Sequence, residues 1–291
     1  MVNAVSIAEP DRWISLQAQV QEARIVAALR AFRNNGIEPI LIKGWAAARK
    51  YPKDRLRRTG DIDLAVAPEE YEEARKIAAL PEVAGHNIDL HKGLRKLDTK
   101  PWPELLAKSQ IEWIDDEPIR LLSDEDHLRI LCVHWLIDGG RYRDKLWDIY
   151  YAVENRSASF DWQRCLDVPA NRRRWVICAI LLAQKYLDLR TDDLPFASEI
   201  KALPTWVIRC IEREWKRPYD LEPVLVTTED PKLFLHQITR RLPPNPIRAT
   251  IEIDGEIYSN RRTLYQLRVL TTRALPFLIN AIDLVRKRSA K

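Results

Sequence analysis

Glycine and methionine are scarce in this chain, with 8 and 1 of 291 residues. Few glycines leave few places for left-handed turns or close backbone approaches, so each one is informative. The 18 prolines supply firm breaks instead, which suits a largely helical chain. Cys132, Cys165, Cys178 and Cys210 are far apart and form no Cys-x-x-Cys pair, which argues against a zinc site and against a disulfide framework. Each has apolar neighbours in a helical pattern, so buried reduced thiols are expected. Long apolar runs are missing too: the stretch Ala274 to Val285 is short and carries Asp283, so no membrane span is expected. Residues 1–10 have neither the basic start nor the apolar centre of a secretion signal, and a cytoplasmic location is the expectation.

What remains is ordinarily globular, 46% hydrophobic and 31% charged, with length for one good core or two small ones. The net charge of +5 hides an asymmetry: residues 1–155 hold 23 Lys+Arg against 26 Asp+Glu, whereas 156–291 hold 24 against 16. Arg172-Arg173-Arg174-Trp175, Arg240-Arg241 and Arg261-Arg262 could give the second half a phosphate-binding or nucleic-acid-binding surface. The plainer alternative is a solvated helix face with arginine stems over apolar surface.

The densest chemistry lies in Arg57-Arg58-Thr59-Gly60-Asp61-Ile62-Asp63-Leu64-Ala65-Val66. On a strand, Asp61 and Asp63 share one face, with Ile62 and Leu64 on the other. Carboxylates that close repel unless a cation lies between them, and hard divalent cations take such oxygen ligands. The plainer reading has the aspartates merely ending the strand beside a Gly60 turn. Upstream, Pro39-Ile40-Leu41-Ile42-Lys43-Gly44 is an apolar run ending in Lys-Gly before a helix-favouring Ala46-Ala47-Ala48. A glycine turn there lets backbone approach a phosphate, and Lys43 adds positive charge. Downstream, Asn87, Asp89 and His91 alternate with Ile88 and Leu90, so a neighbouring strand offers a third carboxylate.

These pieces, in this order, resemble the DNA polymerase β-like nucleotidyltransferase superfamily, and more narrowly its uncharacterised bacterial nucleotidyltransferase proteins. The resemblance is carried by Leu41-Ile42-Lys43-Gly44, by Arg57 ahead of Gly60-Asp61-Ile62-Asp63-Leu64, by Ile88-Asp89-Leu90-His91, and by Leu131-Cys132-Val133-His134-Trp135 leading to Leu146-Trp147-Asp148-Ile149. It covers roughly residues 35 to 155, and Lys43-Gly44-Trp45 departs from the Gly-Ser or Gly-Gly turn of better known members. The resemblance implies transfer of a nucleoside monophosphate from a nucleoside triphosphate to a hydroxyl or phosphate of an acceptor, with pyrophosphate released. It implies Asp61, Asp63 and Asp89 as catalytic and metal-binding residues, holding two Mg²⁺ or Mn²⁺ ions about 4 Å apart. Lys43, Gly44 and Arg57, with Arg58 as the alternative in that loop, are the expected triphosphate contacts. His91 and His134 are candidate substrate contacts, each also readable as a plain structural histidine.

The pattern predicts an α+β fold. A helix over Gln17 to Arg33, stopped by Asn34-Asn35-Gly36, precedes a small mixed sheet with helices on one face and the three carboxylates on the other. Pro68-Glu69-Glu70 opens a helix to about Leu80, and Ser109 to Leu122 reads as a hairpin about Asp115-Asp116. A catalytic domain is thus expected over 1–122. A mainly helical one follows over 123–291, opened by the capping sequence Ser123-Asp124-Glu125-Asp126 and broken by Pro195, Pro204, Pro218 and Pro243-Pro244. Within it, Asp254-Gly255 between alternating runs predicts a β-hairpin near 249–258, and Leu264 to Arg288 a last helix bent near Pro276. His127, His134 and Asp138 recur on one helix face, but two histidines two turns apart cannot chelate one ion unaided. The acceptor is not readable: a small molecule, sugar or peptide is one class, tRNA held by the basic half is another, and a nucleotide-binding or partner-binding module without turnover is the non-enzymatic alternative. The oligomeric state is not readable either.

Overall fold

The computed structural model describes residues 9–55, 57, 59–196, 202–217 and 241–272, with Lys232, Gln237 and Thr239. Arg58, Pro218, Arg240, Pro276 and most of the expected last helix lie outside them; residues 262–272 are helical.

Helix α1 (Glu9–Asn34) packs along Gln21, Ile25, Ala28, Leu29 and Phe32, the one-face spacing of a half-buried helix. It ends in a Schellman arrangement: Gly36, at φ 78°, donates to the Arg33 carbonyl and Ile37 donates to that of Phe32. Then come β1 (Ile40–Leu41), α2 (Gly44–Ala48), β2 (Ile62–Val66), α3 (Tyr71–Ala78), β3 (Ile88–Lys92), α4 (Trp102–Lys108), β4 (Gln110–Ile114) and β5 (Glu117–Leu121). The sheet is mixed, in the order β3-β2-β1-β5-β4. β2 and β3 are parallel, β1 and β2 antiparallel, β1 and β5 parallel, and β4 and β5 form the expected hairpin about Asp115, at φ 50°.

β2 is buried along its whole length because both sheet faces are covered. Ile62, Leu64 and Val66 pack with Leu41 against α1 and α3, whereas Ala65, Ile40 and Ile42 face a second core. That second core belongs to α5 (Asp124–Ile137), α6 (Leu146–Glu154), α7 (Trp162–Leu166) and α8 (Ala170–Leu187). The face opposite α1 and α3, expected to stay open, is thus partly roofed by the helical half, which leaves a cleft. Ser123 caps α5 as expected, its hydroxyl accepting from the Asp126 N–H at 3.3 Å. All four cysteines are buried free thiols, and burial pushes those of Cys165 and Cys178 up to about 12.

After α9 (Thr205–Trp215) the expected hairpin near 249–258 is replaced by α10 (Pro246–Glu252). Asn245 caps it by accepting from the Ile247 and Arg248 N–H groups at 2.9 and 3.2 Å, with Pro246 at the first helical position. Asp254, at φ 51°, ends it: its N–H donates to the Ile251 carbonyl, and that of Gly255 to Thr250. The Asp-Gly pair is therefore a helix terminator, and the alternation of Ile251, Ile253 and Ile257 was overridden by the cap and by burial of Ile247 and Ile251.

Candidate active site

The register of the parallel pair β2–β3 places Asp63 directly beside Asp89, and Ala65 beside His91. Side chains of neighbouring strands at matched positions share a face, so both carboxylates and the imidazole point away from α1. Asp63 is the buried member, 4% exposed, while the Asp89 carboxylate is half open to solvent. His91 Nε2 lies 3.3 Å from Asp63 Oδ1 and 3.1 Å from Asp89 Oδ2. Donor atoms of Asp63, Asp89 and His91 all fall within 4.8 Å of one another, a set able to hold a metal ion. The hydrogen bond from His91 holds the Asp89 carboxyl down to about 2 against the opposing effect of its partial burial. Burial pulls the His91 imidazole down, but its bonds to the two aspartates prevail and raise it.

Lys43 closes this cluster from β1. Its ammonium pairs with Asp63, lies 3.3 Å from His91 Nε2 and 3.9 Å from Asp89 Oδ2, and is almost wholly buried. The backbone that sends it there is unusual: Lys43 has φ 52°, a conformation that costs a non-glycine residue on the order of 1–3 kcal/mol and marks functional sites. Gly44 follows at φ 25°, where an added Cβ would lie 3.5 Å from the Asp61 carbonyl oxygen and 3.8 Å from Asp63 Oδ2. The Lys-Gly turn is thus pressed against β2, directly over its acidic residue.

Asp61 is placed differently from expectation. β2 begins at Ile62, so Asp61 lies on the preceding bend, exposed, with its carbonyl accepting from Gln21 Nε2 at 3.1 Å. It lines the same cleft but is not in the clustered donor set, where His91 stands instead. Strict alternation holds only within the strand, and Asp61 falls one residue short of it. Arg57 also lines the cleft, with Nε 2.6 Å and a terminal nitrogen 2.7 Å from the two oxygens of Asp148 on α6; Tyr51 donates to Asp148 Oδ1 at 2.7 Å. Burial opposes the charge on Arg57, and Asp148 more than restores it. This bidentate pair ties the basic loop to the helical half.

The cleft has a volume of about 170 Å³. Its sheet side presents Lys43, Gly44, Asp61, Asp63 and Asp89; its helical side presents His134, Trp135, Asp138, Tyr142, Lys145 and Asp148. His134 is 4.0 Å from Asp138 Oδ2, and burial pulls its imidazole down to about 4. His127 lies deeper in α5 and is held to about 4 in the same way. Sequence reading missed Tyr142 and Lys145. The available signal was Gly139-Gly140, two adjacent glycines in a glycine-poor chain, at φ 75° and 68°, just ahead of them. A Cβ on Gly139 would lie 2.6 Å from the Asn245 amide and one on Gly140 2.7 Å from Ile211, so only glycine lets this loop pass α9 and α10 into the cleft.

In the basic half, Arg172 pairs with Asp254 at 2.9 Å and Arg174 with Glu256, while Arg262 stacks over Trp206 at 5.1 Å. No described helix is long and apolar enough to cross a membrane.

Comparison with known proteins bears on the first half of this site. A family described as uncharacterised nucleotidyltransferase matches residues 7–80, the segment that carries Lys43, Gly44, Arg57, Asp61 and Asp63. An antigenic nucleotidyltransferase-like protein from Paracoccidioides brasiliensis is similar at 15% identity and a TM-score of 0.43, over 66% of this chain and 98% of its own. No curated protein matches the chain. The family match stops before Asp89 and His91, which the strand register brings to the residues inside it.

Proposed function

We propose, taking as premise the nucleotidyltransferase family that residues 7–80 match, that this chain moves a nucleoside monophosphate from a nucleoside triphosphate to an acceptor oxygen. The observation that carries the reading is the convergence of Asp63, Asp89 and His91 donor atoms within 4.8 Å, beneath the Lys43-Gly44 turn.

Asp63 and Asp89 offer the carboxylate oxygens that a hard divalent cation takes, and the His91 imidazole, a softer donor, suits Mn²⁺ better than Mg²⁺; the Lys43 ammonium is already drawn among them. Mg²⁺ or Mn²⁺ held by Asp63, Asp89 and His91 would neutralise charge developing on the transferred phosphoryl group. The chain's own residues supply the rest. Lys43 and the Gly44 backbone hold the triphosphate at the β1 side of the cleft, with Lys145 on the opposite wall. The acceptor oxygen bonds to the α-phosphorus, the bond from that phosphorus to the bridging oxygen breaks, and pyrophosphate leaves with the electron pair. The acceptor's proton departs through the half-exposed Asp89 carboxylate. Asp61 stays on the wall of the same cleft, outside the clustered donor set. The tRNA alternative is weakened by the pairing of Arg172 and Arg174 with their own acidic partners.

The test is thermal stabilisation by nucleoside triphosphate with and without magnesium. Wild type is expected to gain several degrees only with both, and Asp63→Asn and Asp89→Asn to lose most of that gain. An equal magnesium-dependent gain in both variants would remove the proposed ligand set.

A further inference from the structure

We propose that the groove beyond β3 is the acceptor subsite and that it takes a small acceptor bearing a phosphate group; the proposal rests on the nucleotidyl-transfer reading. The groove has a volume of about 830 Å³, within the usual ligand-site range of about 300–1,000 Å³. It begins at His91, whose Nε2 is 3.1 Å from Asp89, and β3 is the sheet's edge strand on that side. The site therefore reads across the sheet from Lys43 after β1, through Asp63 on β2, to Asp89 and His91 on β3, and then into the groove. An acceptor lying there would present its nucleophilic oxygen at the Asp89 end.

The wall of the groove is a built structure. Gly93, at φ 56°, turns the chain out of β3, where a Cβ would come within 3.2 Å of Pro68. The following turn is pinned from below: Leu94 and Leu97 are buried, and the buried Asp98 accepts from the Thr99 and Lys100 N–H groups at 2.7 and 3.1 Å. Asp98 also accepts from the buried Arg129 at 2.6 Å. With those side chains turned inward, Arg95 and Lys96 are presented outward.

Charge then chooses the ligand. Lys100 and Arg172 also line the groove, but Asp167 at 2.6 Å and Asp254 at 2.9 Å already pair with them. Lys92, Arg95 and Lys96 have no carboxylate partner among the described residues, and Lys92 rests over the Tyr71 ring at 5.7 Å. Three cations without a carboxylate partner, Lys92 at the end of β3 and Arg95 and Lys96 on the anchored turn, in a groove also lined by Tyr71 and Trp102, suit a phosphate joined to a planar or sugar group.

Calorimetric titration of the full chain in EDTA, with AMP as probe and adenosine as its uncharged counterpart, tests this. AMP should bind and adenosine at least tenfold more weakly. Arg95→Glu/Lys96→Glu should weaken AMP at least tenfold and the milder Arg95→Gln/Lys96→Gln severalfold. Unchanged AMP affinity in both paired variants, or equal affinity for adenosine, would overturn the subsite. Preference by more than tenfold for a 5′-phosphorylated tetranucleotide over AMP would overturn the small-acceptor assignment. Because neither metal nor triphosphate is present, a failure here leaves the nucleotidyl-transfer reading standing, and the reverse also holds.

Discussion

Lys43, two residues beyond β1, sits at φ 52° and turns its ammonium onto Asp63, the buried carboxylate on the interior strand β2. This pair explains how an acid only 4% exposed is tolerated before any ion or triphosphate arrives. A buried charge that loses its partner typically costs about 3–5 kcal/mol.

Lys43→Met should accordingly destabilise the metal-free protein by about 2–4 kcal/mol, and added magnesium should recover more stability in the variant than in wild type, since no ammonium competes for the carboxylates. Denaturant unfolding with EDTA or with magnesium measures both. An equal magnesium increment in the two proteins would show that the ammonium and the ion occupy separate places.

Arg57 and Asp148 join the loop before β2 to α6 by two hydrogen bonds. Arg57→Ala and Asp148→Ala should each cost about 3 kcal/mol, and the double variant little more than Asp148→Ala, because all three lose the Arg57–Asp148 pair and both Asp148 variants also lose the Tyr51 hydrogen bond. Additive losses in the double-mutant cycle would mean that each residue has a separate structural task.

Arg129 binds Asp98 and Asp126, all three buried, and so carries the turn that presents Arg95 and Lys96. Arg129→Met should destabilise by about 3–5 kcal/mol, leaving the buried Asp98 without its cation while Asp126 keeps Arg164. Asp98→Asn should cost less and raise local hydrogen exchange over residues 93–100. Protection there unchanged in Asp98→Asn would separate the turn from the buried pair.

His127 is held at about 4, chiefly by burial, with Asp148 and Asp124 pulling it back only in part, and its Nε2 has no hydrogen-bond partner among the described residues. A histidine with a folded-state pKa below its unfolded value takes up protons on unfolding. Its contribution is complete above about pH 6.5 and is lost as pH falls towards 4, amounting to about 3 kcal/mol. His127→Gln should flatten that limb of the stability curve, as unfolding midpoints between pH 7 and pH 4 will report. An unchanged slope would assign the acid sensitivity to other groups.

Much of this architecture was legible because local signals agreed with one another. Alternation gave β2, β3 and the β4–β5 hairpin; Ser123 and Gly36 marked helix ends; and Asp89 with His91 fell on the face assigned to them. The misses have physical causes. Asp61 stands one residue before its strand, a boundary that alternation cannot locate. Asp254-Gly255 ends a helix, because the same left-handed conformation serves a helix stop and a hairpin turn, and the cap at Asn245 decided between them. Gln21 is buried to reach the Asp61 carbonyl while its neighbour Val20 is exposed, a contact across forty residues that no local pattern encodes. Arg57 lines the cleft, but its Asp148 partner, 91 residues away, could not be read from the loop's own charge.

The central claim is that Asp63, Asp89 and His91 form the metal-binding heart of a nucleotidyltransferase. It is tested most directly by incubating the protein with each α-labelled nucleoside triphosphate, magnesium or manganese, and separate tRNA, peptide and metabolite fractions of the source cell. The account predicts label transfer to a metabolite fraction in wild type. In Asp89→Asn and His91→Ala transfer should fall by at least 100-fold, about 3 kcal/mol of transition-state stabilisation, while both variants stay folded. Transfer undiminished in both variants would contradict it.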